Sequence, residues 1–541
     1  MTSFLPPECL EKIFLILYNP LTASTNTATK DIHACTLVSR YWCNVSTPLL
    51  YSYPFQHFAN LNSKSQQKDV QDYYKLIRTL LTCIPQSEIE EIINSKILPN
   101  EPISFSLKSS PTFDYGTFFH GLQLGSIFSK VHIDHDKIWM PSYIPTDTIP
   151  IRLTFELYYS IINHLVKYLS EFCKNLTILE IKLFTFNDEN VQIKLMETLL
   201  NSFFDDSKEN KLTGLKSLYF AISGNAGTQL MTKEVSNLSK FYANLSSFTK
   251  NLESLHNGKI ISLEQANALS SLISSQKRLK SITLSQEDFF YSFTRTHNIQ
   301  VFEFYNVVFN TLRTQSAWLE KLEFTLLSFQ YLDQESLDSL CSLKNLKELK
   351  IMKCKFLDKL KVWTTHSHLS GLQVLEFTPD NYTQLHVDGD WLNKIFQFTS
   401  SSLKKLILDF KREIDQGFQL IRLISLHLHS LNYLVLPKLY PTELITILKS
   451  CIELVYLSTG LLEGGQWDQN LPSISKFIPN SVEKIQFREI HFLVDNRTFE
   501  LFLKGCINKG VKLQSLEMTG KKKLDQKYYD IANQFGVKLI S

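Results

Sequence analysis

The stretch best supplied with reactive groups is Val131-His132-Ile133-Asp134-His135-Asp136. Side chains alternate across a strand, so His132, Asp134 and Asp136 would share one face, a donor set suited to a divalent cation. A polar surface strand explains the same pattern equally well. His366-Ser367-His368 and His427-Leu428-His429 could each turn two imidazoles to one side, yet no Cys or Asp at ligand spacing completes either pair. The phosphate-cradling signature G-x-x-x-x-G-K-[ST] is missing, and there is no convincing G-x-G-x-x-G. Gly460 and Gly464-Gly465 read as turn residues between repeats. No Ser or Cys has the neighbours that activate a nucleophile, and Cys43 falls in a helical pattern where packing is expected. The residues point to a non-enzyme with no cofactor and no bound metal.

Composition narrows what remains. The 541 residues carry 56 Lys and Arg against 53 Asp and Glu, a formal charge of +3. So small an excess argues against a nucleic-acid partner. The length permits several domains or one long repeat array, and scarce Gly and Pro argue against long flexible linkers. Pro6, Pro7, Glu8 and Glu11 interrupt what would be the apolar core of a signal peptide. No apolar run approaches a membrane span, so no membrane partner is expected. The nine cysteines are scattered from Cys9 to Cys506, the pattern of reduced, packed thiols in a cytoplasmic or nuclear protein.

The elements that would position any site are repeated. Leu346-Lys-Glu-Leu349-Lys-Ile351-Met-Lys-Cys354-Lys-Phe356 reads L-x-x-L-x-I-x-x-C-x-F, the form of a leucine-rich repeat with Cys at its ninth position. Leu349 and Ile351 share one face of a strand, and Glu348, Lys350 and Met352 the other. Equivalent first-position residues are Leu176, Leu215, Leu252, Leu279, Leu319, Leu346, Leu372, Leu403, Leu431, Leu454, Val482 and Leu513. Most are roughly 23 to 31 residues apart, the length of leucine-rich units. Helical patterns such as Trp391-Leu392-x-x-Ile395-Phe396 and Phe418-x-x-Ile421-x-x-Ile424 separate them. One such strand cannot bury its apolar face alone, whereas stacked copies can. Residues 173–541 are therefore expected to form an irregular α/β solenoid, a horseshoe with strands inside. Asn257 stands where an apolar residue belongs, and loops are expected in the long gaps after Ile222 and Leu284.

The first 55 residues differ. Pro6 and Pro7 suit a first helical turn, followed by a stripe of Cys9, Leu10, Ile13, Phe14 and Leu17. Asn19-Pro20 ends it, residues 21–30 lack periodicity, and Asp31 is a candidate N-cap for a second helix. That helix carries Ile32, Cys35, Val38 and Trp42, and Pro48 closes it. So short a module has a poor core. Either a partner covers its spare apolar surface, or the module is an end cap over the first repeat.

The segment resembles an F-box: Leu5-Pro6-Pro7-Glu8-Cys9-Leu10-x-x-Ile13-Phe14-x-x-Leu17, then Asp31-Ile32, then Leu37-Val38-Ser39-Arg40-x-Trp42. It is similar in particular to fungal F-box proteins. It departs from the family form at Cys9, usually Ile or Leu, and in a longer loop before Asp31. The resemblance implies binding to the Skp adaptor, and through it to a cullin–RING ligase. Leu5, Pro6, Ile13, Phe14, Leu17, Leu37 and Val38 would form the docking surface, with Glu8 as a polar rim contact. Trp42 is left between core and interface.

Residues 56–172 read as a helical and irregular connector packed on the solenoid. Helices are expected over 70–81, 89–93 and 155–172, an alternating stretch over 103–107, and an aromatic helix over 113–128. Its apolar content is too high for disorder. In the solenoid, the concave face binds. Lys405, Ile407, Tyr433, Val435, Tyr456, Lys484 and Arg488 are the candidate substrate-binding residues, because apolar and aromatic groups stand there where solvent is expected. Tyr with Arg is also a frequent hot-spot composition. The competing reading is that the last helix or a C-terminal loop covers them. Taken together, the expectation is a substrate-recognition subunit of a Skp–cullin–F-box ubiquitin ligase with an unidentified protein substrate. The alternative is a leucine-rich-repeat binding scaffold outside any ligase.

Overall fold

All twelve first-position residues are buried, from fully at Leu176 to 7 % exposed at Leu513, and a strand starts two residues after each. The structure is a computed structural model that describes residues 5–17, 26–55, 113–123, 163–173, 176–184, 212–223, 231–286, 299–360, 369–378, 389–409, 414–462, 466–490, 494–520 and 524–541, with short pieces within 76–88 and 197–204. The expected features at 103–107, 132–136 and 366–368, most of those at 70–81 and 89–93, and the gaps after Ser223 and Gln286 lie outside the described residues.

The chain divides into two compact units, residues 1–279 with 287–296, and 280–286 with 297–541. Unit one contains β1 (Gly121–Gln123), β2 (Ile178–Phe184), β3 (Ser217–Ser223) and β4 (Ser254–Asn257), paired in sequence order and all parallel. Unit two contains β5 (Ser281–Ser285), β6 (Lys321–Thr325), β7 (Glu348–Met352), β8 (Val374–Thr378), β9 (Lys405–Leu408), β10 (Tyr433–Leu439), β11 (Tyr456–Leu461), β12 (Lys484–Ile490), β13 (Ser515–Gly520) and β14 (Lys538–Ile540). These too pair in parallel, each with its sequence neighbours, and the sheet stays open. An open parallel order of this kind needs a crossover after every strand. Most crossovers among the described residues contain a helix, so the architecture is a solenoid-like α/β stack of strand–helix units.

The same local chemistry repeats at each strand entrance. The Thr177 carbonyl accepts from Lys216 and Ser217 N–H at 2.8 and 3.0 Å, and the Gln373 carbonyl accepts from Lys404 and Lys405 N–H, both at 2.9 Å. Alternation then divides the faces. In β7, Leu349 and Ile351 are fully buried while Glu348 and Lys350 are half-buried on the other side. The returning helices start on side-chain caps. Asp333 accepts from Ser336 N–H at 2.8 Å and Asp495 from Thr498 N–H at 2.9 Å, which satisfies a donor that the first turn leaves without a partner.

Three helices open the chain: α1 (Pro7–Leu17), α2 (Asn26–Thr36) and α3 (Arg40–Leu50). Three expectations change here. Asp31 is no cap, because α2 begins five residues earlier; the single helix expected to carry Ile32, Cys35, Val38 and Trp42 is two, broken by a turn after Thr36; and α3 continues past Pro48 to Leu50. The cap that does form is Ser39, which accepts from Trp42 N–H at 3.1 Å. Leu10, Phe14 and Ile32 make the small core, with Trp42 half-buried and edge-on to Phe14 at 5.3 Å. The module then joins the sheet: the Ser52 carbonyl accepts from His120 and Gly121 N–H at 2.8 and 3.1 Å, the strand-entrance pair again. Tyr53 crosses above, so close that a Cβ on Gly121 would lie 2.3 Å from its ring.

That junction corrects the expected connector. The aromatic stretch after Phe113 is a 3-10 turn (Tyr115–Phe118) leading into β1, not a long helix, so strand pairing begins well before residue 173. The described part of the expected helix over 155–172 is helical from residue 163 and buries Leu165, Val166 and Leu169. Phe356 is 47 % exposed at φ 55°, and Leu357 is buried instead. Gly460 lies inside β11 rather than in a turn.

Candidate protein-interaction surfaces

Helix α1 is short of partners. It buries only Leu10 and Phe14, four residues apart and therefore on one stripe. Ile13, Leu15, Ile16 and Leu17 are exposed, Ile16 by 85 %, as are Leu5 before the helix and Leu37 and Val38 in the turn between α2 and α3. Seven of the sixteen exposed large apolar side chains among the described residues thus lie before residue 39. Scattered exposed apolar residues are normal, but a concentration is not. Pro6 and Glu8 are exposed beside them.

Of the expected docking residues, Leu5, Pro6, Glu8, Ile13, Leu17, Leu37 and Val38 are on the surface. Phe14 is not: it is fully buried and supports the face from beneath. Leu15 and Ile16 are exposed too but fall outside the expected docking set, which takes one helical stripe as both core and interface. The available signal was the run Ile13-Phe14-Leu15-Ile16-Leu17, too wide for one face. The Tyr41 hydroxyl donates to the Leu5 carbonyl at 2.5 Å, which fixes the strand of chain entering α1.

The second surface lies on the helix-free side of unit two. Register aligns Lys405, Tyr433, Tyr456 and Lys484 as one rung across β9, β10, β11 and β12. The two tyrosine rings stack at 4.2 Å, 11° from parallel. Lys405 Nζ lies 4.7 Å from the Tyr433 ring centre and Lys484 Nζ 5.6 Å from that of Tyr456, so cations cover both ends of the aromatic pair. Burial, and after it the Tyr456 neighbour, push the Tyr433 hydroxyl up to about 12. The next rung is Ile407, Val435, Ser458 and Gln486. Gln486 accepts from the Tyr456 and Ser458 hydroxyls, both at 2.8 Å, and donates to Glu517 at 2.8 Å.

Arg488 straps this surface. Its Nη1 donates to Asp409 on the far side of the patch at 2.9 Å, and its Nη2 to the Leu436 carbonyl at 2.8 Å. In β11 the residue in register with Arg488 is Gly460. A Cβ there would lie 2.5 Å from Lys438 Cγ, so glycine leaves room for the Lys438 side chain beside it. All seven candidate substrate-binding residues thus fall in one patch across neighbouring strands. Val435 is its floor rather than its surface, at 8 % exposed. The helix α4 (Ile414–His427), expected between β9 and β10, is present. No family model and no curated protein matches the chain.

The candidate chemistry disperses. His427 Nε2 meets Asn393 Oδ1 at 3.0 Å, whereas His429 Nδ1 faces the Ser450 carbonyl at 3.2 Å, so the two rings do not converge. Among the described residues no three His, Cys, Asp or Glu side chains group as a metal site, and no helix is long and apolar enough to cross a membrane. Cys354, Cys451 and Cys506 are buried, and burial pushes each thiol up to about 12, away from nucleophilic reactivity.

Proposed function

We propose that the chain is the substrate-recognition subunit of a Skp–cullin–F-box ubiquitin ligase, an F-box module followed by leucine-rich repeats. The observation that carries this reading is the exposure of Leu5, Ile13, Ile16, Leu17, Leu37 and Val38. Apolar surface so concentrated calls for a partner, and the resemblance of this segment to an F-box supplies one, the Skp adaptor. The receptor would perform no catalysis. It would hold a protein substrate on the strand face of its repeats, raising the effective concentration of the substrate's lysines near a charged conjugating enzyme. Such work belongs in the cytoplasm or nucleus.

The test is co-purification with the Skp adaptor, comparing the intact chain with an Ile16→Asp, Val38→Asp variant. Both positions are exposed, so the variant should keep its circular dichroism and melting temperature. A stoichiometric complex with the intact chain, lost in the variant, is the expected result. A folded chain that does not retain the adaptor overturns the reading. That outcome would favour a second one, a scaffold outside any ligase, which the strand-entrance pair on Ser52 supports: the module closes the edge of unit one whether or not anything binds it.

A further inference from the structure

The strand face of β9–β12 has already matched most of its own charge. Of its four basic side chains, three face a carboxylate: Lys438 meets Glu489 at 2.9 Å, Lys484 meets Glu517 at 3.4 Å, and Arg488 meets Asp409 at 2.9 Å. The fourth, Lys405, has only the Tyr433 ring among the described residues. Upstream the same holds, with Lys321 and Lys350 on Glu348 at 3.1 and 3.2 Å. The uncharged polar groups are also engaged, Tyr456 and Ser458 with Gln486, and Gln486 with Glu517.

Phosphate recognition needs cationic donors that are free to converge. Here a phosphate would have to expel Asp409 or Glu517 and leave that carboxylate unpaired. What this face still offers is apolar contact over Ile407 and the tyrosine edges, plus one ammonium. Its side chains are held by one another, so little rotamer freedom is lost on binding.

We infer that this face binds an unphosphorylated protein segment carrying an aromatic or aliphatic anchor next to a single carboxylate. The anchor packs against Ile407, Tyr433 and Tyr456, and the carboxylate pairs with Lys405. The inference rests on reading the strand face as the receptor surface and is independent of whether the N-terminal module holds the Skp adaptor.

The experiment selects a displayed library of random, unmodified dodecapeptides on the purified full chain. Synthetic versions of the selected peptides, with and without a phosphate on Ser, Thr or Tyr, are then titrated by calorimetry. Selected peptides should share an apolar residue beside one Asp or Glu. Lys405→Gln and Tyr456→Ala should each weaken binding roughly tenfold, while Lys404→Gln, at a lysine paired with Glu453, should leave it unchanged. Phosphorylation should weaken binding or leave it unaltered. Failure to select any peptide, tighter binding of the phosphorylated versions, or insensitivity to both Lys405→Gln and Tyr456→Ala would overturn the inference. Because no adaptor is present, none of these outcomes depends on the ligase assignment, and adaptor binding can succeed or fail separately.

Discussion

Phe14 and Ile16 are two positions apart on α1 and have opposite tasks. Phe14 is sealed against Leu10, Ile32 and Trp42, whereas Ile16 is almost wholly in solvent. Phe14→Ala should cost about 3–5 kcal/mol, enough to unfold so small a module, and amide exchange over residues 26–50 would report it. Ile16→Ala should change stability by no more than about 0.5 kcal/mol, and if the proposed adaptor docks on α1 the effect should show in adaptor binding instead. In unit one, the Tyr242 hydroxyl donates to Asn257 Oδ1, and Asn257 Nδ2 donates to the Gly258 carbonyl at 2.7 Å. This explains the polar residue at an apolar repeat position: the fully buried amide has its partners. Tyr242→Phe should therefore cost about 1–3 kcal/mol in urea unfolding by leaving a buried acceptor unmet. Tyr242→Phe with Asn257→Leu should recover part of that loss.

At the scale of elements, helix-to-helix spacing is set by small residues. The helix α5 (Asn496–Asn508) passes over Ser475 so closely that a Cβ on Gly505 would lie 2.0 Å from its Oγ. That hydroxyl already donates to the Pro472 carbonyl at 2.6 Å. Gly505→Ala should destabilise unit two by about 1–3 kcal/mol through overpacking, visible as a lower melting temperature. On the strand side, β6, β7 and β8 are laced by Lys321, Glu348, Lys350 and Glu376. Burial would raise the Glu348 carboxyl, but the Lys321 and Lys350 contacts outweigh it and hold the group below its usual range. A carboxyl depressed by folding adds stability above its unfolded value, about 4.3, and loses it as pH falls through the folded value. Urea midpoints should drop on acidification, and Glu348→Gln should flatten that part of the slope.

At the scale of the molecule, the nine cysteines form a built-in probe of opening. Cys9 is exposed, and Cys173, Cys354, Cys451 and Cys506 are buried. Maleimide should label Cys9 at once, and the buried four only as fast as their units open; prompt native-state labelling of Cys354 would contradict the packing described. The strands β2 to β13 and the helix α1 were legible in the sequence because both rest on short-range periodicity, whereas β1, β14 and the break between α2 and α3 were not. Leu346, Leu349 and Ile351 declare a strand with one buried face wherever it ends up. The seven residues of the strand-face patch were legible for the same reason, since repeat spacing puts them in register. What the tertiary structure decided was who meets whom. Phe14 and Ile16 have the same apolar character, and only the packing of α1 against α2 and α3 tells core from surface. Asp409 and Arg488 are 79 positions apart in sequence, and only the stacking of β9 to β12 brings them within 2.9 Å. The end-cap place of the N-terminal module was only one of two sequence alternatives, and its joint to β1 through the Ser52 carbonyl carries no side-chain signature. Local pattern follows from the covalent chain, whereas burial, charge pairing and strand edges depend on distant residues that folding brings together.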